Sequence, residues 1–325
     1  MQIADMQPRL LVLLDSSEHN LYMLEAQLRA ACPCPGYIAE VGSVVDAEAV
    51  GAIFERYGPD LIFHAAAYKH VPLMESNPFA AMQNNALGAY RLAQAALLHG
   101  PCQVVMVSTD KAANPASIMG ASKRIAEIVL QTAGNAHLRM NSLRLGNVLG
   151  SQGSVAPIFL EQISRNDTVT VTHPGAERFF FTMPGALALI LETAASNLQG
   201  RILVPSSLTS VKVLDLAKFL IAHCGASSGN PQITFIGLRP GEKLTEEFVA
   251  PDEKAGETIG PRLTAIDTWE CPREELHCAM ADLERSIRER DLRGMLQIVD
   301  RLVPSYHPSA TVLAGDARVR ADAHA

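Results

Sequence analysis

Short apolar, β-branched runs alternate with stretches of helical periodicity through the first half of this chain, and that alternation constrains the fold more than any other feature. The runs are Arg9–Leu14, Tyr37–Val41, Leu61–His64, Gln103–Ser108 and Met140–Leu145. Between them, Glu18–Ala31, Asp46–Tyr57, Pro78–His99 and Ile118–Gly134 read as helices, with Asp46 as the expected N-cap of its helix. Strands joined through helices form βαβ units, so the sheet is expected to be parallel, with active groups at the carboxyl ends of its strands. Those ends are Asp15, His64-Ala65-Ala66-Ala67, Ser108-Thr109-Asp110-Lys111 and Gly146-Asn147. The expected fold class is α/β, a Rossmann-like doubly wound parallel sheet.

Beyond residue 150 the pattern loosens into short strands (Thr168–Thr172, Ile202–Pro205, Ile233–Ile236) mixed with helices (Pro184–Asn197, Leu214–Cys224, Pro272–Arg288, Leu292–Leu302). This gives a sheet domain over 1–150, a smaller α+β substrate region over 151–307 partly interleaved with it, and a flexible tail over 308–325. A chain of 325 residues buries about three quarters of its unfolded surface, so it needs no disulfide or metal to hold a core. With 48% apolar and 19% charged residues it is not disordered over most of its length. A net charge of −7 without blocks of like charge argues against nucleic-acid or anionic-membrane partners. The apolar run Phe179–Leu191 is too short to span a bilayer and carries Pro184 and Gly185. Met1–Pro8 carries neither the basic nor the apolar region of a signal peptide, so a cytoplasmic location is expected. Six cysteines, Cys32-Pro33-Cys34 among them, follow no metal-site spacing; they read as ordinary thiols, with no metal expected.

The segment richest in chemistry is Val107–Lys123. A strand end delivers a hydroxyl (Thr109), a carboxylate (Asp110) and an ammonium (Lys111) in succession, and Lys123 follows Met119 by one helical turn. Taken alone, Asp110 and Lys111 could equally form a solvated ion pair in a turn. They occur, however, with Phe63-His-Ala-Ala-Ala-Tyr-Lys-His-Val-Pro-Leu-Met-Glu75, Arg144-Leu-Gly-Asn-Val-Leu-Gly-Ser-Gln-Gly-Ser154, Thr170-Val-Thr-His-Pro174 and Gly237-Leu-Arg-Pro-Gly-Glu-Lys-Leu244, in that order. Together these motifs resemble the CapD-like polysaccharide-biosynthesis proteins, nucleotide-sugar 4,6-dehydratases of the extended short-chain dehydrogenase/reductase superfamily. The resemblance runs from about residue 9 to about residue 305.

The resemblance implies NAD(P)-dependent oxidation at the sugar's 4-carbon, loss of water across carbons 5 and 6, and return of the hydride, with UDP-N-acetylglucosamine as the expected substrate. It makes Asp110 the acid that expels water, Lys111 the base at the 5-carbon, Thr109 a hydrogen-bond partner of the 4-oxygen, and Lys123 the holder of the nicotinamide ribose. It places Asp15, Ser43, Val44, Ala65, Ala66, Ala67 and Asn85 at the cofactor. Lys69, Asn147, Arg178, Arg239 and Glu242 are placed at the nucleotide sugar. Self-association is common in the family, so a homo-oligomer is possible in its terms.

Two positions depart from that pattern. The superfamily's usual tyrosine base is Met119 here, and a thioether cannot take a proton from a hydroxyl. A methionine there resembles the long, membrane-anchored branch of the family. Lys123, Asp110 or a water on Thr109 then remain as bases for the 4-hydroxyl, unless Met119 is simply packing. The second departure is the missing Gly-rich strand-turn-helix, which should precede Arg9–Leu14. Met1–Gln7 reads as the last turns of that first helix, so roughly 25 residues are expected upstream. Gly150-Ser-Gln-Gly153 is a decoy, late in the chain and followed by Pro157, which should interrupt any helix. Loss of the central first strand should leave two neighbours unpartnered, and NAD binding should be weakened. Asp15 would accept from ribose hydroxyls and repel a 2′-phosphate, which favours NAD over NADP. A catalytically impaired remnant and a nucleotide-sugar epimerase are the competing readings.

Overall fold

A computed structural model describes residues 1–31, 36–100, 102–135, 138–151, 153–224 and 231–314. The cysteines at 32 and 34, Gln152 and the tail over 315–325 lie outside the described residues. The chain opens with α1 (Gln2–Asp5), β1 (Leu11–Asp15), α2 (Glu18–Ala31), β2 (Tyr37–Val41), α3 (Ala47–Tyr57) and β3 (Leu61–His64). Next come α4 (Val71–Glu75), α5 (Pro78–Ala81), a π-helical segment Met82–Leu87, α6 (Gly88–His99), β4 (Gln103–Thr109), a 3-10 turn Asp110–Ala112, α7 (Ile118–Ala133) and β5 (Arg139–Leu145). The second half runs β6 (Asn147–Val148), α8 (Val155–Ser164), β7 (Val169–Val171), β8 (Glu177–Phe181), α9 (Met183–Ala195), β9 (Ile202–Pro205), β10 (Ser210–Lys212) and α10 (Val213–Cys224). It closes with β11 (Ile233–Phe235), β12 (Lys254–Ile259), β13 (Leu263–Asp267), α11 (Arg273–Arg288) and α12 (Leu292–Leu302).

The main sheet has six strands in the order β12-β13-β9-β5-β4-β3. The four strands from β9 to β3 are parallel, as the alternation of runs requires, while β13 and β12 add antiparallel. Strand β4 is buried on both faces along most of its length, which explains its unbroken apolar run. Strands β1 and β2 form a separate parallel pair. Among the described residues β1 pairs only with β2 and β3 only with β4, so each keeps one open edge, in line with the expected unpartnered neighbours.

Three expectations need correction. The stretch Pro78–His99 is not one α-helix, because Met82–Leu87 winds as a π-helix that turns Asn85 inward to hydrogen-bonding partners. Pro157 does not prevent a helix after the decoy glycines. It sits in the first turn of α8, where its missing N–H would have had no intrahelical partner. The tail does not begin at 308: the Ser309 hydroxyl donates to the Glu75 carboxylate, and Val312 is completely buried. Residues of α11 and α12 (Met280, Leu283, Met295, Val299) share one apolar core with Met82, Met106, Ile125 and Ile128, so the C-terminal helices pack on the first half. A smaller cluster around Phe159, Val169, Val171 and Ala217 gives the middle of the chain its own core. The Asp46 carboxylate accepts from the amides of Glu48 and Ala49, as expected of an N-cap.

Candidate active site

Alternation along β4 sends Ser108 to one side and Thr109 to the other, and the 3-10 turn then presents Asp110 and Lys111. Asp110 is fully buried. Its Oδ1 accepts from Lys111 Nζ at 2.9 Å and from the Thr109 hydroxyl at 3.0 Å, while Oδ2 has no hydrogen-bond partner. This excludes the solvated turn: the pair is held inside, with one carboxylate oxygen unused. Burial works against the Lys111 ammonium, but Asp110 and Glu246 outweigh it and raise its pKa, so the free protein carries it protonated. Helix α7 packs directly on this turn. A Cβ at Gly120 would lie 2.3 Å from the Lys111 carbonyl oxygen, so only glycine permits that approach.

The segment from Gly237 to Glu247 drapes over the same turn. Lys243 Nζ donates to the Ala113 carbonyl at 3.4 Å, and Asn114 Nδ2 donates to Glu247 Oε2 at 3.1 Å. Gly241, at positive φ, abuts Ser117, the N-cap of α7, and Glu75, whose Oε1 accepts from the Ile118 amide at 2.8 Å. The Glu246 carboxylate is buried and reaches to 3.6 Å from Lys111 Nζ. Sequence reasoning missed Glu246. The available signal was Glu246-Glu247 in an extended stretch, where one of two adjacent acids must face inward. Exposed Arg239 forks onto Glu242, with Nε and Nη2 at 2.9 and 2.6 Å from Oε1. Asn147 is half-buried at the β5 exit, and Lys69 is exposed with its pKa lowered by burial of its stem. The diphosphate contact expected of Arg178 is corrected by its geometry. Its amino groups donate to the carbonyls of Glu177, Lys243 and Leu244, so it braces the segment that carries Glu246.

At the β3 exit, His64 is buried with Nε2 unpartnered. Burial, and secondarily the Lys123 charge, lower its pKa to about 3, so the imidazole is neutral. Lys123 is buried and makes no hydrogen bond among the described residues; burial lowers its pKa to about 8, against a smaller opposing effect of Glu127. Met119 is buried on α7 one turn before it. Asn85 does not face a ligand with its amide free. It accepts from the Tyr68 amide at 2.8 Å and donates to the Tyr68 carbonyl at 3.0 Å and to Ser122 Oγ at 2.9 Å, clamping the loop that holds Ala65, Ala66 and Ala67 onto α7. Ala65 and Ala66 are exposed. Asp15 ends β1 on the two-stranded sheet with Oδ1 accepting from the Ser17 amide at 2.8 Å. Ser43 Oγ accepts from the Val45 amide, and Val44 is buried against Gly88. The buried Lys123 ammonium and the unmatched His64 Nε2 are polar groups of the kind a ribose hydroxyl can bond, and Asp15 offers a carboxylate at the end of β1.

A second charge cluster lies beside this site. Arg144 on β5 is fully buried, with Nε and Nη2 donating to Glu127 of α7 at 2.9 and 2.8 Å and both amino groups bonding Glu253 at 2.6 and 2.7 Å. Arg124 and Ser108 complete Glu127 at 3.1 and 2.6 Å.

Residues 1–267 match the family model described as polysaccharide biosynthesis protein. The polysaccharide biosynthesis protein EpsC of Bacillus subtilis is 39% identical over 264 residues, 81% of this chain and 44% of that protein. The chain therefore spans less than half the length of that relative. The solved structure of Pen from Bacillus thuringiensis superimposes with a TM-score of 0.76 at 30% identity, covering 84% of each chain. A dTDP-glucose 4,6-dehydratase, DesIV of Streptomyces venezuelae, solved with NAD and DAU bound, shares the fold at a TM-score of 0.65 and 21% identity, over 76% of this chain and 82% of that one.

Proposed function

The chain belongs to the polysaccharide biosynthesis protein family, and from that premise we propose that it is an NAD-dependent nucleotide-sugar 4,6-dehydratase acting on UDP-N-acetylglucosamine. The observation that carries this reading is the buried Asp110–Lys111 pair at the β4 exit, with Asp110 Oδ2 unpartnered. When bound, NAD supplies the hydride acceptor for the sugar's 4-carbon and the donor for its 6-carbon.

The chain's own residues handle protons. As an ion pair, Asp110 and Lys111 carry their proton on the wrong partner, because an ammonium cannot be a base nor a carboxylate an acid. Transfer of one proton across the 2.9 Å bond from Lys111 Nζ to Asp110 Oδ1 corrects both at once. The Lys111 amine then takes the proton from carbon 5, made acidic by the 4-ketone, and Asp110 gives its proton to the departing 6-hydroxyl. Water leaves and the ion pair is restored; Lys111 would return its proton to carbon 5 as the hydride reaches carbon 6, and the proton Lys123 took from the 4-hydroxyl makes up that loss. Once Asp110 is protonated, the Thr109 hydroxyl that donates to it is free to turn toward the sugar's 4-oxygen.

Lys123 is the best fit for the group that accepts the 4-hydroxyl proton, since Met119 cannot, and a pKa lowered by burial to about 8 makes its amine far more accessible near neutrality than that of an ordinary lysine. Asp15 and Lys123 would hold the adenosine and nicotinamide riboses, with Asp15 favouring NAD. Asn147, Lys69 and the exposed Arg239, whose Nη1 is left over from its pairing with Glu242, are the polar side chains offered to the nucleotide diphosphate. The test is incubation of the chain, with a Gly-rich strand-turn-helix restored ahead of it and NAD raised to saturation, with UDP-N-acetylglucosamine. Loss of one water, giving a 4-keto-6-deoxy sugar, supports the proposal. An unchanged sugar, or an epimer that keeps its 6-hydroxyl, refutes it.

A further inference from the structure

Lys111 sits between two buried carboxyls, and the family pattern gave a role to only one. Asp110 Oδ1 is 2.9 Å from its Nζ and Glu246 Oε1 is 3.6 Å away on the other side. The three other carboxylates buried nearby, Glu75, Glu127 and Glu253, each accept from two or more donors. Glu246 makes no hydrogen bond among the described residues. It is nevertheless held firmly: the Glu177 amide bonds the Leu244 carbonyl at 2.9 Å, and Arg178 grips the carbonyls of Lys243 and Leu244. A buried carboxyl whose cations, Lys111 and Arg178, stand 3.6 and 3.9 Å away, beyond hydrogen-bond reach, acts on them through charge and not as a hydrogen-bonded strut. Its charged surroundings are Lys111 and Asp110 on the catalytic turn, Arg178 on β8 with Nε at 3.9 Å, and Lys243 on its own segment.

We propose that Glu246 is a positioning residue of the elimination step, whose carboxyl shares the Lys111 ammonium with Asp110 and governs how readily the Lys111 proton crosses to Asp110. The proposal rests on the dehydratase reading above. Burial first, and the Asp110 charge after it, raise the Glu246 pKa above the usual carboxylate range despite Lys111, Arg178 and Lys243. While protonated, Glu246 leaves Lys111 facing a single anion, and proton transfer to Asp110 leaves both groups uncharged in a buried site that disfavours charge. Once ionised, it stabilises the ammonium and holds Lys111 in the form that cannot act as a base.

Two measurements test this, using Glu246→Gln, which keeps the shape and removes the charge, and Glu246→Asp, which keeps the charge and shortens its reach. In cofactor-free protein, the Lys111 ammonium is titrated by side-chain NMR, with its signal assigned by its loss in Lys111→Met. Glu246→Gln should lower the Lys111 pKa by about 1–3 units, and Glu246→Asp by less. In turnover, dehydration by the natural chain should slow as pH rises through the Glu246 ionisation. That descending limb should vanish in Glu246→Gln and return in Glu246→Asp. An unchanged Lys111 pKa in Glu246→Gln overturns the proposal, as does a pH profile that superimposes on that of the natural chain. If the natural chain makes no dehydrated sugar, the dehydratase reading falls on its own, and the Lys111 titration still decides whether Glu246 controls that ammonium.

Discussion

Two buried charge clusters share β4 and α7, and they differ in how completely their polar atoms are matched. In the first, Arg144, Arg124, Glu127 and Glu253 balance two positive charges with two negative ones, and both oxygens of each carboxylate are occupied. In the second, Asp110 Oδ2 and His64 Nε2 have no partner, and Lys123 and Glu246 make no hydrogen bond among the described residues. The two clusters meet at adjacent residues of one strand, Ser108 donating to Glu127 and Thr109 to Asp110. Burial alone therefore does not separate a strut from a reactive site. Between these two clusters, satisfaction of hydrogen bonds does, since an unmatched buried group costs stability unless something else occupies it.

Stability measurements can break this contrast. The largest effect is expected at Arg144: replacing it by Met leaves Glu127 and Glu253 buried without their main cation, at a cost of about 3–5 kcal/mol in denaturant unfolding. A loss under ~1 kcal/mol would show that the matched cluster is no strut. Lys123 should behave oppositely. Its pKa is about 8 in the folded chain and 10.5 in the unfolded one, so below about pH 8 the unfolded chain holds a proton that burial penalises in the native state. Lys123→Met should thus stabilise the protein by about 3 kcal/mol at pH 7 while abolishing turnover. The gain should fade as pH rises from about 8 to 10.5. A destabilised Lys123→Met would place Lys123 with the struts. The smallest effect is expected at Asn85→Ala, which strands the Tyr68 amide and carbonyl and should cost about 1–3 kcal/mol. It should also raise the KM for NAD if the clamped loop lines the cofactor.

The parallel core of the fold was legible because strands buried on both faces must be apolar runs, and β4 is one. The π-segment at Met82–Leu87 was not, because Asn85 is drawn inward by partners as distant in sequence as Ser122. Helix α8 was obscured by reading Pro157 as a breaker without its position in the first turn. Strands β12 and β13 were missed because β12 is largely exposed and carries no apolar run, and β13 takes its place in the sheet from the distant β9. Within the site, Asp110, Lys111 and Lys123 stood out by proximity in sequence. Glu246 and His64 did not, since their roles depend on which side chains tertiary packing leaves unmatched. Arg178 shows the converse: a guanidinium in a suggestive position whose donors the fold had already engaged.

The central claim is that Asp110 and Lys111 eliminate water and do not oxidise the sugar. Single-turnover mixing of Asp110→Asn with NAD and UDP-N-acetylglucosamine, followed by nicotinamide absorbance and product mass, tests it directly. The account predicts that reduced nicotinamide appears and persists while the sugar keeps its water. Release of a dehydrated sugar at the natural rate by this variant would contradict it.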